Sequence, residues 1–467
     1  MIYKTNKLIF NNRRDNLKQQ VKISFVSLGC DKNLMDSEIM LGLIKEEGYI
    51  VTQQEETADI IIINSCGFKI DASEEGIENI LRVADFKQTG NCKGIIVTGC
   101  MAQRYKEEIF DSLPEVDAVV GTGDFENIGN VIKDILNGNQ KVSLITDNNK
   151  ALDEKNSLKR VVTTTGGFAY LKIAEGCDKK CTYCTIPSIR GKFRSRTLES
   201  LVKEAEFLAN QGVKEIILVA QDCSLYGTDL YGEKKLAHLL KELSKIEDIE
   251  WIRILYCYPE HIDDNLIEEM ATNPKVCNYI DMPIQHADDG ILKLMGRASS
   301  RKKLEQTIQK LRQKMPDICI RTTFIVGFPN ESEQAFNNLY DFTQKMEFDR
   351  LGVFTYSREE GTPAFNMENQ IEEDVKQQRK DKLMLLQKDI SSKICQKFIG
   401  KTLKVIVEGK IEGEDNVYCG RSYRDCYEID GFVFFECPSH MELLAGDFYN
   451  IKITDAYEYD LIGQLQL

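Results

Sequence analysis

The chain has 467 residues, 60 Lys and Arg against 74 Asp and Glu, a net charge of −14, and 42% hydrophobic residues. That length points to about three domains, and that apolar content excludes a wholly disordered chain. No stretch approaches the roughly 18 consecutive apolar residues of a membrane span, and the acidic balance disfavours a general nucleic-acid binder, whose footprint is basic.

Residues 1–20 are polar and basic (Lys4, Lys7, Arg13, Arg14, Lys18) and lack the apolar core of a signal peptide. They read as a flexible extension, and the protein is expected in the cytoplasm. Fifteen cysteines without an export signal then argue for metal rather than disulfides.

From 21 to 140, the apolar runs Ile23–Leu28, Ile60–Ile63, Ile95–Thr98 and Ala118–Val120 alternate with the amphipathic stretches Asp36–Glu47, Ser73–Phe86 and Ala102–Ser112. Such Val/Ile runs separated by helices predict an α/β domain with an open parallel sheet. Residues 141–166 are expected to form a linker, most polar over Asp147–Lys159.

A second series, within 167–398, places strands at Ala169–Ala174, Glu215–Ala220, Ile252–Cys257, Tyr279–Ile284, Ile318–Val326 and Leu351–Tyr356. Six units predict a (βα)6 partial barrel, because a closed eight-unit barrel needs about 250 residues. A charged helical stretch, Ile371–Phe398, connects it to the last segment. Residues 399–467 offer short strands (Leu403–Val407, Phe432–Phe435, Tyr449–Thr454) and predict a small β-barrel.

Two sets of cysteines carry chemistry. Cys177-Asp-Lys-Lys-Cys181-Thr-Tyr-Cys184 follows the first barrel strand directly. A four-iron cluster usually takes four protein thiolates, so a three-cysteine loop leaves one iron open for a substrate or cofactor. A zinc knuckle is the plain alternative, but the x3–x2 spacing with Tyr183 before the third cysteine is far more specific. It resembles the signature of the radical S-adenosylmethionine (SAM) superfamily, which implies SAM on the open iron and its reductive cleavage to a 5′-deoxyadenosyl radical. Gln221, Asp222, Gln285 and Arg321, on or just after other barrel strands, are the candidate SAM contacts.

Cys30, Cys66 and Cys100 are far apart in sequence, yet each follows a predicted parallel strand. In an open α/β sheet those carboxyl ends line one crevice. Any one alone reads as a small buried hydrophobe; three at equivalent positions predict a second 4Fe-4S cluster with an open iron. The other nine (92, 223, 257, 277, 319, 395, 419, 426, 437) share no such pattern and read as structural.

The segments Ser27–Ser37, Asn64–Phe68 and Thr98–Tyr105 resemble the N-terminal domain of the methylthiotransferase family, and Glu175–Gly191 its radical-SAM segment. The resemblance runs from about residue 21 to the end, where the β domain is similar to a TRAM domain. The family modifies either tRNA adenosine or the β-carbon of an aspartate in small-subunit ribosomal protein S-twelve. Ser27–Asn33, Gln221–Gly227 and Gly420–Gly431 favour the protein-modifying branch, although Asp31 stands where that branch usually has proline. The resemblance implies two 4Fe-4S clusters, SAM as both methyl donor and radical source, and an electron donor such as flavodoxin or ferredoxin.

Charge agrees with that branch. From Lys401 on, six Lys or Arg face thirteen acids, a net −7. A module that grips RNA should be basic, whereas an acidic one suits a basic ribosomal protein. The rival readings are the same chemistry on tRNA and a non-enzymatic cluster carrier or electron relay.

Overall fold

The computed structural model describes residues 21–150, 152 and 154–466. The extension over 1–20 lies outside the described residues.

The N-terminal sheet contains β1 (Lys22–Ser27), β2 (Ile50–Thr52), β3 (Ile60–Ser65), β4 (Gly94–Gly99), β5 (Ala118–Val120) and β6 (Val142–Leu144), all parallel, in the order β2-β1-β3-β4-β5-β6. β3 and β4 are buried throughout because helices cover both faces. The sheet has two strands more than the sequence predicts. β2 and β6 are three-residue, partly exposed edges with no apolar run to betray them. The first helix, Asp31–Glu46, also starts five residues early. Asp31 is thus its first residue, a position where proline fits sterically and where an acid complements the helix dipole. The departure at this position therefore fits a helix start.

The central domain begins with β7 (Phe168–Lys172), then a short hairpin of β8 (Ala174–Glu175) and β9 (Arg194–Ser195). It continues through β10 (Glu215–Val219), β11 (Trp251–Ile254), β12 (Tyr279–Gln285), β13 (Cys319–Val326) and β14 (Arg350–Thr355). The ladders run β7-β10-β11 and β12-β13-β14, all parallel, and Cys257 N donates to Asp281 O at 2.8 Å across the gap between them. This is the six-strand partial barrel. Its outward residues meet the helices in one apolar core.

The barrel interior packs against both neighbouring domains. Phe168, Tyr170, Trp251 and Tyr279 point inward and pack against Met35 of helix Asp31–Glu46 and against Ile406, Cys426 and Phe448 of the C-terminal domain. Each such large side chain contributes about 1.5–3 kcal/mol on burial, so the three domains share one inner core. The helix Glu373–Gln396 leads to β15 (Thr402–Lys410), β16 (Val417–Ser422), β17 (Val433–Glu436), β18 (Phe448–Ala456) and β19 (Leu461–Leu465), a closed barrel. β16 and β19 were not predicted: each is short and interrupted by Gly420 or Gly463.

Where the two barrels meet, Arg253 of β11 donates to Glu215 of β10 at 2.7 Å, and Arg421 of β16 stands 2.6 Å from the same carboxylate as an ion pair without hydrogen-bond geometry. All three side chains are fully buried.

Candidate active site

The first triad lies on the loop between β8 and the helix Ile186–Arg190. Cys177 N donates to Gly191 O at 3.0 Å, and Thr182 is held by the main-chain oxygens of Met295 (3.0 Å) and Leu294 (2.8 Å). Gly176, at φ +82°, lets the chain turn where a Cβ would stand 2.0 Å from Lys192 O. Burial, with a smaller contribution from the companion sulfurs, pushes the Cys177 thiol up to about 11 and Cys184 up to about 12. Main-chain N–H groups of Lys179 and Ile186 act the other way, supporting a thiolate.

The second triad forms as the sheet order requires, at the carboxyl ends of the adjacent strands β1, β3 and β4. Cys30 caps helix Asp31–Glu46, Cys66 follows β3, and Cys100 opens the helix after β4. The loops touch: a Cβ on Gly29 would be 2.8 Å from Cys66 Cβ, and one on Gly67 would be 2.9 Å from the Cys100 carbonyl carbon. Asn33 donates to Ser65 O at 3.1 Å, and Asn64 to Asn33 O and Ser37 Oγ at 2.8 Å each. Those contacts explain why Asn33, Ser37 and Asn64 belong to the motif segments. Burial pushes Cys66 up to about 12, with Cys100 and Cys30 adding to the rise. Cys100 is also raised by burial, opposed by Arg190.

Both donor sets therefore fit an iron–sulfur cluster. In each, sulfurs from separate backbone positions lie in one another's field, a repulsion that a bound cation would relieve. Among the described residues no three His, Cys, Asp or Glu groups have the geometry to hold one metal ion. A cluster instead places each thiolate on a different iron.

Between the triads runs a buried charge network that the sequence did not reveal. Lys172 Nζ donates to Asp36 (2.6 Å) and Glu175 (2.7 Å); Arg190 Nη1 donates to the same two at 2.9 and 3.0 Å. Burial alone would raise the Glu175 carboxyl, but Arg190 and Lys172 hold it well below the usual range. A cavity of about 470 Å³ opens beside the network, with Lys172, Glu175 and Arg190 in its wall.

The four candidate SAM contacts occupy different situations. Gln221 donates to Glu175 at 3.0 Å, and its amide oxygen is buried without a partner. Asp222 is fully buried and bound to Ser224, His261 (3.1 Å) and Lys179 (3.4 Å), which ties the cluster loop to the end of β10. Gln285 ends β12 at φ +76°, a conformation that side chains rarely adopt without purpose. Arg321 lies lower in the barrel, donating to Asp281 at 2.7 Å and facing Asp430 of the C-terminal barrel at 3.6 Å.

Sequence reasoning missed Arg297. Its guanidinium stacks on Tyr258 at 4.1 Å, opposite Lys179 at 3.9 Å on the same ring. Its Nε and Nη1 are buried without partners. Only its place beside Gly296, whose left-handed turn packs on Lys180 of the cluster loop, could have marked it.

A six-strand barrel with a Cys-x3-Cys-x2-Cys loop after its first strand defines a radical-SAM iron–sulfur enzyme, and the Radical SAM superfamily model matches residues 171–343. The model described as uncharacterized protein family UPF0004 matches residues 22–121, and the TRAM domain model residues 399–465. The chain is 51% identical over 445 residues to ribosomal protein uS12 methylthiotransferase RimO of Lachnoclostridium phytofermentans, covering 95% of this chain and 99% of that one. It is 48% identical to the protein of the same name from Clostridioides difficile, with the same coverage. The chain belongs to the RimO-type family of radical-SAM methylthiotransferases. Membership sets aside the carrier or relay reading. Among solved structures, the radical SAM methyltransferase TsrM of Kitasatospora setae, with cobalamin and a 4Fe-4S cluster bound, superposes with a TM-score of 0.55 over 86% of this chain and 77% of that one. At 11% identity that likeness concerns the fold alone.

Proposed function

We propose that this enzyme adds a methylthio group to the β-carbon of an aspartate in ribosomal protein uS12. The reading is carried by 51% identity over 95% of the chain to a relative of that name. Cys177, Cys181 and Cys184 would hold one 4Fe-4S cluster, and Cys30, Cys66 and Cys100 a second. When bound, the first supplies the electron that cleaves SAM to the 5′-deoxyadenosyl radical, and the second an iron position for sulfur.

The chain's own residues supply position and dryness. Tyr183, Phe328 and Tyr356 form an apolar wall beside the first loop that excludes water. The unpartnered Nε and Nη1 of Arg297 leave a buried cation with free donors for an anionic ligand group such as the carboxylate of SAM. The unpartnered amide oxygen of Gln221, after β10, and Gln285, at the end of β12, would offer ligand contacts from two strand ends on either side of β11. Asp222 and Arg321 act through other groups, the first through Lys179 and the second through Asp281.

The C-terminal barrel supports a protein substrate. Both its arginines are spent on internal pairs: Arg421 is fully buried, and Arg424 donates to Asp349 at 3.1 Å. The turn between β15 and β16 presents Glu412, Glu414 and Asp415, all exposed. No arginine of this module is left to bind phosphate, and direct nucleic-acid binding is disfavoured. Among the described residues no helix is long and apolar enough to cross a membrane. Flavodoxin or ferredoxin would serve as electron donor.

Mass spectrometry of uS12 and of tRNA from a strain lacking the chain tests the reading. The methylthio mass should disappear from uS12 and persist on tRNA. Loss from tRNA alone would overturn the substrate.

A further inference from the structure

Arg190 stands at a junction that domain packing alone does not explain. It belongs to the helix directly after the first cysteine loop, yet its side chain, in a residue 2% exposed, reaches into the N-terminal domain. One nitrogen, Nη1, is taken by Asp36 and Glu175. The other, Nη2, turns away from those carboxylates, donates to Asn33 Oδ1 and lies 3.4 Å from Cys100 Sγ. A guanidinium that served only to join the domains would complete its pairing on carboxylates, and Lys172 already bridges Asp36 and Glu175.

We propose that Arg190 is a positioning residue for the second cluster: it donates a charge-assisted hydrogen bond to the Cys100 sulfur, fixing that ligand and drawing charge from the iron it binds. This rests on the assignment of Cys30, Cys66 and Cys100 as cluster ligands. Hydrogen bonds to ligand sulfurs and nearby net charge set the potential of an iron–sulfur cluster, and a buried donor acts strongly because little water screens it. The cation favours the reduced cluster and raises its potential. Asp36, on the opposite nitrogen, moderates that effect, since a carboxylate pairs with the same guanidinium. The contact comes from the radical-generating domain, so the second cluster acquires its tuned potential only when the two domains are docked.

The test uses the full chain with Cys177, Cys181 and Cys184 replaced by Ala, reconstituted anaerobically, so that one cluster is read by electron paramagnetic resonance and redox titration. Arg190→Gln should move its midpoint potential to more negative values, and Arg190→Lys should restore part of the shift. Asp36→Asn should move it the opposite way, which keeps the inference testable if Arg190→Gln loads poorly. Unchanged potentials in loaded variants, or shifts of the same sign in Arg190→Gln and Asp36→Asn, would overturn it. If the triple-Ala parent binds no cluster at all, the ligand assignment itself fails and this inference falls with it.

Discussion

The two thiol triads reach the same composition by opposite routes. Cys177, Cys181 and Cys184 sit within eight residues on one loop, shaped by Gly176 and by contacts to Gly191 and Met295. Cys30, Cys66 and Cys100 span seventy-one residues and meet only because β1, β3 and β4 are neighbours in a parallel sheet. The local triad depends on turns, and the distributed one on strand order. The first should fail through loop geometry and the second through anything that shifts a strand end.

The largest effect separates their roles. Replacing Cys30, Cys66 and Cys100 with Ala should abolish methylthiolation of uS12, while 5′-deoxyadenosine still forms from SAM on reduction. Replacing the loop triad should abolish both products. Loss of both from a folded N-terminal variant that retains the first cluster would erase the distinction.

A control lies where the two barrels meet, away from either triad. Glu215 is buried; burial alone would raise its pKa, but Arg421 and Arg253 hold its carboxyl below the ordinary range. Glu215→Gln should cost about 3–5 kcal/mol at neutral pH, because it strands buried cations. A depressed pKa contributes stability above the unfolded value, about 4.3, and that stability is lost as pH falls through the folded value. The variant should thus flatten the acid limb of a denaturation profile measured against pH, with iron content unchanged.

Glycines beside each triad give a smaller effect. Gly176→Ala meets the main-chain oxygen of Lys192 at 2.0 Å, and Gly99→Ala (φ +89°) meets the side-chain Asn64 Oδ1 at 2.2 Å and the main-chain oxygen of Ser65 at 2.7 Å, a less severe backbone contact. Each should lower stability by about 1–3 kcal/mol, the first more because backbone yields less. Iron analysis of the two variants should show selective loss of the adjacent cluster.

Much of this was legible. Buried strands such as Ile60–Ser65 announce themselves as unbroken Ile runs, and the loop triad by spacing alone. The convergence of Cys30, Cys66 and Cys100 was legible because each lies just past the end of an apolar strand run. The roles of Arg190 and Lys172 were not: they arise from pairing across 154 and 136 residues with Asp36, which no local pattern encodes. Arg321 sits on the expected strand, but its depth in the barrel follows from the stagger of β12 and β13 and from Asp430 rising out of another domain.

The smallest expected effect concerns the exposed acids. Charge reversal of Glu412, Glu414 and Asp415 to Lys should weaken uS12 binding and flatten its salt dependence, each surface charge contributing about 1 kcal/mol or less. Titration calorimetry at two salt concentrations would register it. Binding that strengthens would reverse the proposed charge complementarity.

Iron and sulfide content of the anaerobically reconstituted chain bears most directly on the two-triad account. About eight irons per chain are expected, four per cluster, falling to about four when either triad is replaced. A native chain that never exceeds about four, or a triple variant that keeps all its iron, would contradict it.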